Sequence, residues 1–70
     1  MYKWKIDILL KNGEKVSGIH EGNEKDSHSV AKTLMGNARP NDFCCLYTPN
    51  NTGSVFICIG ELVTMTVIPI

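Results

Sequence analysis

The stretch IDILLKNGEKVSG, residues 6–18, decides the fold. The chain alternates as it runs into it. Tyr2, Trp4, Ile6, Ile8 and Leu10 share one face of an extended backbone, while Lys3, Lys5 and Asp7 take the other. Successive side chains on a strand point to opposite faces, so residues 2–10 form a half-buried strand. Asn12-Gly13 then supplies the strongest short hairpin signal, because the favoured tight turn needs positive φ at both central residues. The return strand, Lys15 to Glu21, does not alternate. Val16 and Ile19 stand three apart, which places them on opposite faces of a regular strand. One inserted residue at Ser17-Gly18 would return both to the core, so the spacing predicts a β-bulge there and a sharply bent hairpin.

Beyond this hairpin the pattern changes period. Asn23, Asp26 and Ser27 are candidate N-caps. Val30, Ala31, Leu34 and Met35 then make one stripe of a short helix over 27–35, with Lys32 and Thr33 on its outer side. Gly36 is placed to end the helix in the left-handed conformation, and Pro40 prevents its continuation. Three strands finish the chain. DFCCLYT (42–48) is rich in β-favouring residues, and PNNTG (49–53) is dense in turn residues. SVFICI (54–59) is almost wholly apolar and reads as a central strand. After a corner at Gly60-Glu61, LVTMTVI (62–68) alternates, with Val63, Met65 and Val67 facing in and Thr64 and Thr66 facing out. The expected fold is a single α+β, β-rich domain over 1–70. It has five mostly antiparallel strands in the order ββαβββ, forming a strongly bent sheet or a small barrel, with one short helix between strands 2 and 3. A β-grasp, with the sheet wrapped over the helix, is the alternative.

Composition limits the functions available. Seventy residues, 43% apolar and 20% charged, are a globular composition. A chain this short buries a small share of its surface and wants a staple: a disulfide, a metal or a partner chain. Three cysteines, two of them adjacent, do not form the even, spaced set of a disulfide scaffold. They read as reduced thiols of a cytoplasmic protein, which leaves oligomerisation as the staple. The formal net charge is zero, so bulk charge does not draw the chain to nucleic acid or anionic membrane. MYKWKIDILLKNG does not read as a signal peptide, and no apolar run approaches the roughly 18 residues of a membrane span.

The quoted stretch also resembles the opening of Sm and Sm-like proteins, small barrels of the SH3 type. In that family alternating apolar residues lead into an Asn-Gly turn, and a second glycine follows five positions on. Ile6, Ile8, Leu10, Asn12-Gly13, Val16 and Gly18 are similar. VFICIGELVTMTVI is similar to the family's closing strands, with Gly60 at the corner. The resemblance implies barrel geometry and ring-like association. It does not imply RNA binding. A helical segment stands where the family's RNA-binding Asp and Asn follow the second strand, and Ile59 stands in place of the corner arginine.

Nothing in the chain requires chemistry. Cys44 and Cys45 are neighbours on a strand and face opposite sides, so at most one can share a site with Cys58 or a histidine. There is no C-x-x-C pair, and Gly13, Gly18, Gly22 and Gly36 form no phosphate loop. The cysteines read as small core hydrophobes, and His20 and His28 as ordinary surface histidines. No catalytic residue, metal or cofactor is expected. A thiol or metal enzyme using Cys44 or Cys45 with a histidine stays as the weakest alternative.

Surfaces are more informative. Lys3, Lys5 and Lys15 form a modest basic stripe. Arg39 and Asn41 in one loop, and Asn50 and Asn51 in another, offer polar groups on rigid supports. The apolar end of the chain, with Val67, Ile68 and Ile70, is an edge that invites pairing, and Pro69 limits it. The expected function is a small non-enzymatic homo-oligomeric module that binds a protein or a small anionic ligand. A regulator or inhibitor of the kind bacteriophages make fits that description by fold-level association. The alternative is an Sm-like ring that binds single-stranded RNA.

Overall fold

The structure, a computed structural model, describes residues 1–36, 39–50 and 52–70. Its elements follow the expected order: β1 (Tyr2–Leu10), β2 (Lys15–Gly22), α1 (Ser27–Met35), β3 (Phe43–Tyr47), β4 (Ser54–Cys58) and β5 (Leu62–Pro69), with a 3-10 turn over Ile59–Glu61 before β5. The strands form one antiparallel sheet in the order β4-β3-β2-β1-β5. The sheet is not closed into a barrel: β4 and β5 are its two rims and do not pair.

The hairpin of β1 and β2 forms where expected, by different means. The loop is three residues, Lys11 to Gly13. Gly13 N–H donates to the Leu10 carbonyl at 2.9 Å, Leu10 N–H to the Glu14 carbonyl at 2.9 Å, and Asn12 Oδ1 accepts from Glu14 N–H at 2.9 Å. Gly13 takes positive φ, at 88°. That is a turn followed by a left-handed glycine, the usual three-residue hairpin, and not the two-residue turn expected.

The predicted bulge at Ser17-Gly18 is absent. Pairing runs without a break from Tyr2↔Gly22 to Leu9↔Lys15. Ile19 instead points to the outer face, beside Lys5 and Tyr47. Gly18 is buried opposite Ile6, and a Cβ built on it would lie 2.7 Å from Leu46 Cβ and 3.0 Å from the Tyr47 carbonyl oxygen. It is glycine because β3 approaches too closely for any side chain. The irregularity lies in β5, where the register shifts between Leu9↔Thr64 and Leu10↔Leu62. Val63 is the extra residue. It is 52% exposed, and Leu62, Met65 and Val67 pack inward. The expected inward Val63 is thereby corrected.

Trp4, Ile6, Ile8, Val30, Cys44, Leu46 and Ile57 are buried together, with Leu10, Val16, Leu34, Leu62, Met65 and Val67 packed around them. Asp26 caps α1, its Oδ1 accepting from Ser29 N–H at 2.8 Å. Val30 and Leu34 turn inward from the helix, which lies against β5 and β3. Gly36 stays right-handed, at φ −58° and ψ −34°, so the left-handed stop expected there is not used. A further correction concerns β4. This almost wholly apolar strand is a rim strand and not a central one.

Candidate interaction surface

The outer face of the β3–β4 hairpin is apolar. Cross-strand pairing alternates faces: Cys44↔Ile57 and Leu46↔Val55 turn inward, while Phe43↔Cys58, Cys45↔Phe56 and Tyr47↔Ser54 turn outward. Phe56 is 67% exposed, Phe43 63% and Tyr47 47%. Ile19 extends the patch onto β2, beside Tyr47. These residues were missed by sequence reasoning. The period-two alternation of FCCLY was the available signal, but both faces of the strand are apolar.

The rim of β4 can be read from two hydrogen bonds. Thr48 N–H donates to the Gly53 carbonyl at 3.0 Å, and Ile59 N–H to the Asp42 carbonyl at 2.8 Å. Between these ends the backbone alternates, so Val55 and Ile57 direct N–H and C=O toward β3, and Ser54, Phe56 and Cys58 direct theirs away from it. Among the described residues no backbone group outside the ladder accepts from those three N–H groups.

The β5 rim differs. Ile70 N–H donates to the Lys3 carbonyl at 3.2 Å, so the backbone N–H and C=O of Met65 and Val67 point away from β1 along the edge, and Pro69 has no N–H to offer. The bulge at Val63 and the helix against β5 further blunt this edge. Of the expected oligomer edge, Val67 is half-buried opposite Ile6, whereas Ile68 and Ile70 are exposed.

The expected polar site is dispersed. Lys3 and Lys5 lie on the outer face of β1, but Lys3 Nζ is 3.7 Å from Glu21 and Lys5 Nζ 3.9 Å from Asp7. Asp7 interrupts the row before it reaches Lys15, and Ser17 Oγ donates to Asp7 Oδ1 at 2.7 Å. Such exposed pairs hold charge loosely. Arg39 and Asn41 are exposed in the loop before β3, far along the sheet order from β1. Asn50 is used by its own turn, its Oδ1 accepting from Thr48 Oγ1 at 2.9 Å and Thr52 Oγ1 at 2.7 Å. Asn51 lies outside the described residues. Lys3 also lines an open recess of about 410 Å³ with Met1, Tyr2, Trp4, Lys25 and Ile70.

The cysteines divide by environment. Cys44 is buried and its thiol pKa is pushed up by burial, with Cys45 beside it adding to the shift. Cys45 is exposed, unlike the buried hydrophobe expected, and Cys58 Sγ donates to the Pro40 carbonyl at 3.3 Å. Among the described residues no three His, Cys, Asp or Glu side chains gather where they could hold a metal ion.

His20 is occupied by Glu24, at 3.1 Å from its Nε2. The Thr33 hydroxyl, the Glu24 amide and His20 together hold the Glu24 carboxyl at a pKa of about 2, below its ordinary 4.5. A depressed carboxyl pKa stabilises the fold above the unfolded-state value and ceases to do so as pH falls through the folded one. Stability is therefore expected to drop between about pH 4.5 and about pH 2, and Glu24→Gln is expected to flatten that part of the curve. Denaturation midpoints measured across this range check it; parallel curves for the two proteins would contradict it.

Compared with protein-family models, with curated proteins and with solved structures, the chain matches none. Among the described residues no helix is long and apolar enough to cross a membrane.

Proposed function

We propose that this chain is a non-enzymatic interaction module that works as a homo-oligomer, a regulator or inhibitor that recognises a protein or a small anionic ligand. The observation that carries the reading is the exposed apolar face of β3 and β4, where β4 is also an uncharged rim strand with one free edge. Monomeric proteins keep such patches small and guard such edges. The small-anion arm is supported by Lys3 and Lys25 in the recess beside Tyr2 and Trp4. A cytoplasmic, reducing setting is supported by the three unpaired cysteines.

The same reading includes a strongly curled sheet that approaches an Sm-like barrel without closing. The rims β4 and β5 are consecutive in sequence and joined by three residues, Ile59–Glu61. A flat five-stranded sheet would hold its rims about 19 Å apart, and this connection reaches about 14 Å at most, which supports curling. RNA binding is not part of the proposal, because the carboxylates of Asp7 and Glu21 stand beside the lysines it would use.

Native mass spectrometry of protein purified from its own host tests the reading. The expected spectrum shows more than one copy of the chain, or a retained ligand or partner. A bare monomer at all concentrations would overturn it.

A further inference from the structure

A strand with no charge, no proline and no bulge is the least protected kind of edge, and β4, Ser-Val-Phe-Ile-Cys, is such a strand at the rim of the sheet. We propose that β4 pairs antiparallel with β4 of a second copy of this chain, around a two-fold axis through Phe56. This rests on the homo-oligomer reading and names its interface.

The pairing follows from which backbone groups are free. Ser54, Phe56 and Cys58 direct N–H and C=O outward, as the bonds at the two ends of the hairpin establish. An antiparallel pair of identical strands is symmetric only about one residue or one gap. Centring it on Phe56 sets Phe56 opposite Phe56 of the second copy, and Ser54 opposite Cys58. All of these are outward-directed positions, so each free N–H meets a free carbonyl. Val55 then faces Ile57 on the inner side of the joined sheet. Centring on Val55 or Ile57 would bring together groups already bonded to β3. Centring on Ser54 or Cys58 keeps the same phase but carries the pairing off one end of β4, whereas centring on Phe56 pairs all three outward-directed residues with one another, and that register is closed and two-fold.

The side chains agree with the backbone. The two exposed Phe56 rings meet at the axis on the outer face, where aromatic cross-strand pairs stabilise a sheet. Tyr47 and Phe43 lie on the same face of β3, one strand beyond β4 on each side of the axis, so the pairing brings the two apolar faces together. No lysine or carboxylate lies on β4 to oppose its own copy. The β5 rim is a poorer partner, because Pro69 lacks a donor and the bulge at Val63 breaks its register.

The test uses the intact chain at micromolar concentration. A mass of two copies is expected by native mass spectrometry. Hydrogen exchange should show the Ser54, Phe56 and Cys58 amides protected at high concentration and fast on dilution. Phe56→Lys puts two ammonium groups at the axis and is expected to raise the dimer dissociation constant at least about thirtyfold. Phe56→Pro removes an N–H that β3 does not use, so it is expected to abolish the dimer while leaving Trp4 emission unchanged. An assembly unaffected by Phe56→Lys, fast exchange of the three amides at every concentration, or a mass of three or more copies would overturn this interface and leave the oligomer reading standing. A monomer throughout would overturn both.

Discussion

Gly18→Ala is expected to cost about 2–3 kcal/mol, the scale of forced overpacking in a core, and Gly18→Val more. The added Cβ would sit 2.7 Å from Leu46 Cβ, 2.9 Å from Leu46 Cδ1 and 3.0 Å from the Tyr47 carbonyl oxygen. Neither Leu46 Cβ nor a main-chain oxygen can swing away as the tip of a flexible side chain can. The strand itself must move, and β2 and β3 are held together by a single register pair, Ile19↔Tyr47. Displacing β3 there separates the hairpin β3–β4 from the β2-β1-β5 half of the sheet. Gly18 does not take positive φ, so the cost is steric and grows with side-chain size. Gly13 is the contrast: its φ is 88° and a Cβ would meet nothing within 4 Å, so its substitution stores backbone strain without a clash. Urea denaturation followed through Trp4, the sole tryptophan, checks the prediction. An unchanged midpoint for Gly18→Ala would show that β3 does not approach β2 as described.

Gly18 also shows where reading a sequence stops. The odd spacing of Val16 and Ile19 has two physical solutions. Either the strand bulges, or one of the two apolar residues faces outward. Pattern alone favours the bulge, because it buries both residues. In the second solution Ile19 stands on the outer face beside Tyr47 of β3, a pairing between residues far apart in the chain. β5 failed in the opposite sense: LVTMTVI alternates well enough to hide the bulge at Val63, which the register with β1 requires. The elements governed by local rules were legible. Asp26 as a cap, the stripe of Val30 and Leu34, and the face of Trp4, Ile6 and Ile8 are where their spacing puts them.

β4 marks a more general limit. An apolar strand reads as central on the assumption that the chain buries its own apolar residues. SVFIC is apolar on both faces, yet only Ile57 is buried and Phe56 is 67% exposed. The residues were read correctly; the inference from an apolar composition to burial within the sheet was not. The basic stripe failed for a related reason. Lys3 and Lys5 are on one face as expected, but their neutralising carboxylates come partly from β2, through the pairing Lys3↔Glu21, which no local pattern announces.

Ile6→Ala is expected to be the most damaging single truncation, at about 4 kcal/mol, near the upper part of the range for deleting a buried isoleucine. Ile6 is fully buried on β1, an inner strand, flanked by Gly18 on β2 and Val67 on β5. The cost of such a deletion depends on how far neighbours can collapse into the space. Here one cross-strand neighbour is a glycine, which has no side chain to move in, and Leu46 is already pressed against that glycine. The cavity therefore stays largely open and its lining loses contacts. Ile6→Val, which removes one methyl group, is expected to cost about 1 kcal/mol. A small domain has little stability to lose, so the alanine variant is expected to be substantially unfolded at room temperature. Phe43→Ala removes a larger side chain that is 63% exposed, and is expected to change stability by less than about 0.5 kcal/mol. The two truncations, measured side by side by urea denaturation, separate burial from side-chain size as the determinant. Equal losses would mean that Phe43 is covered in solution as completely as Ile6, and a second molecule would have to be what covers it.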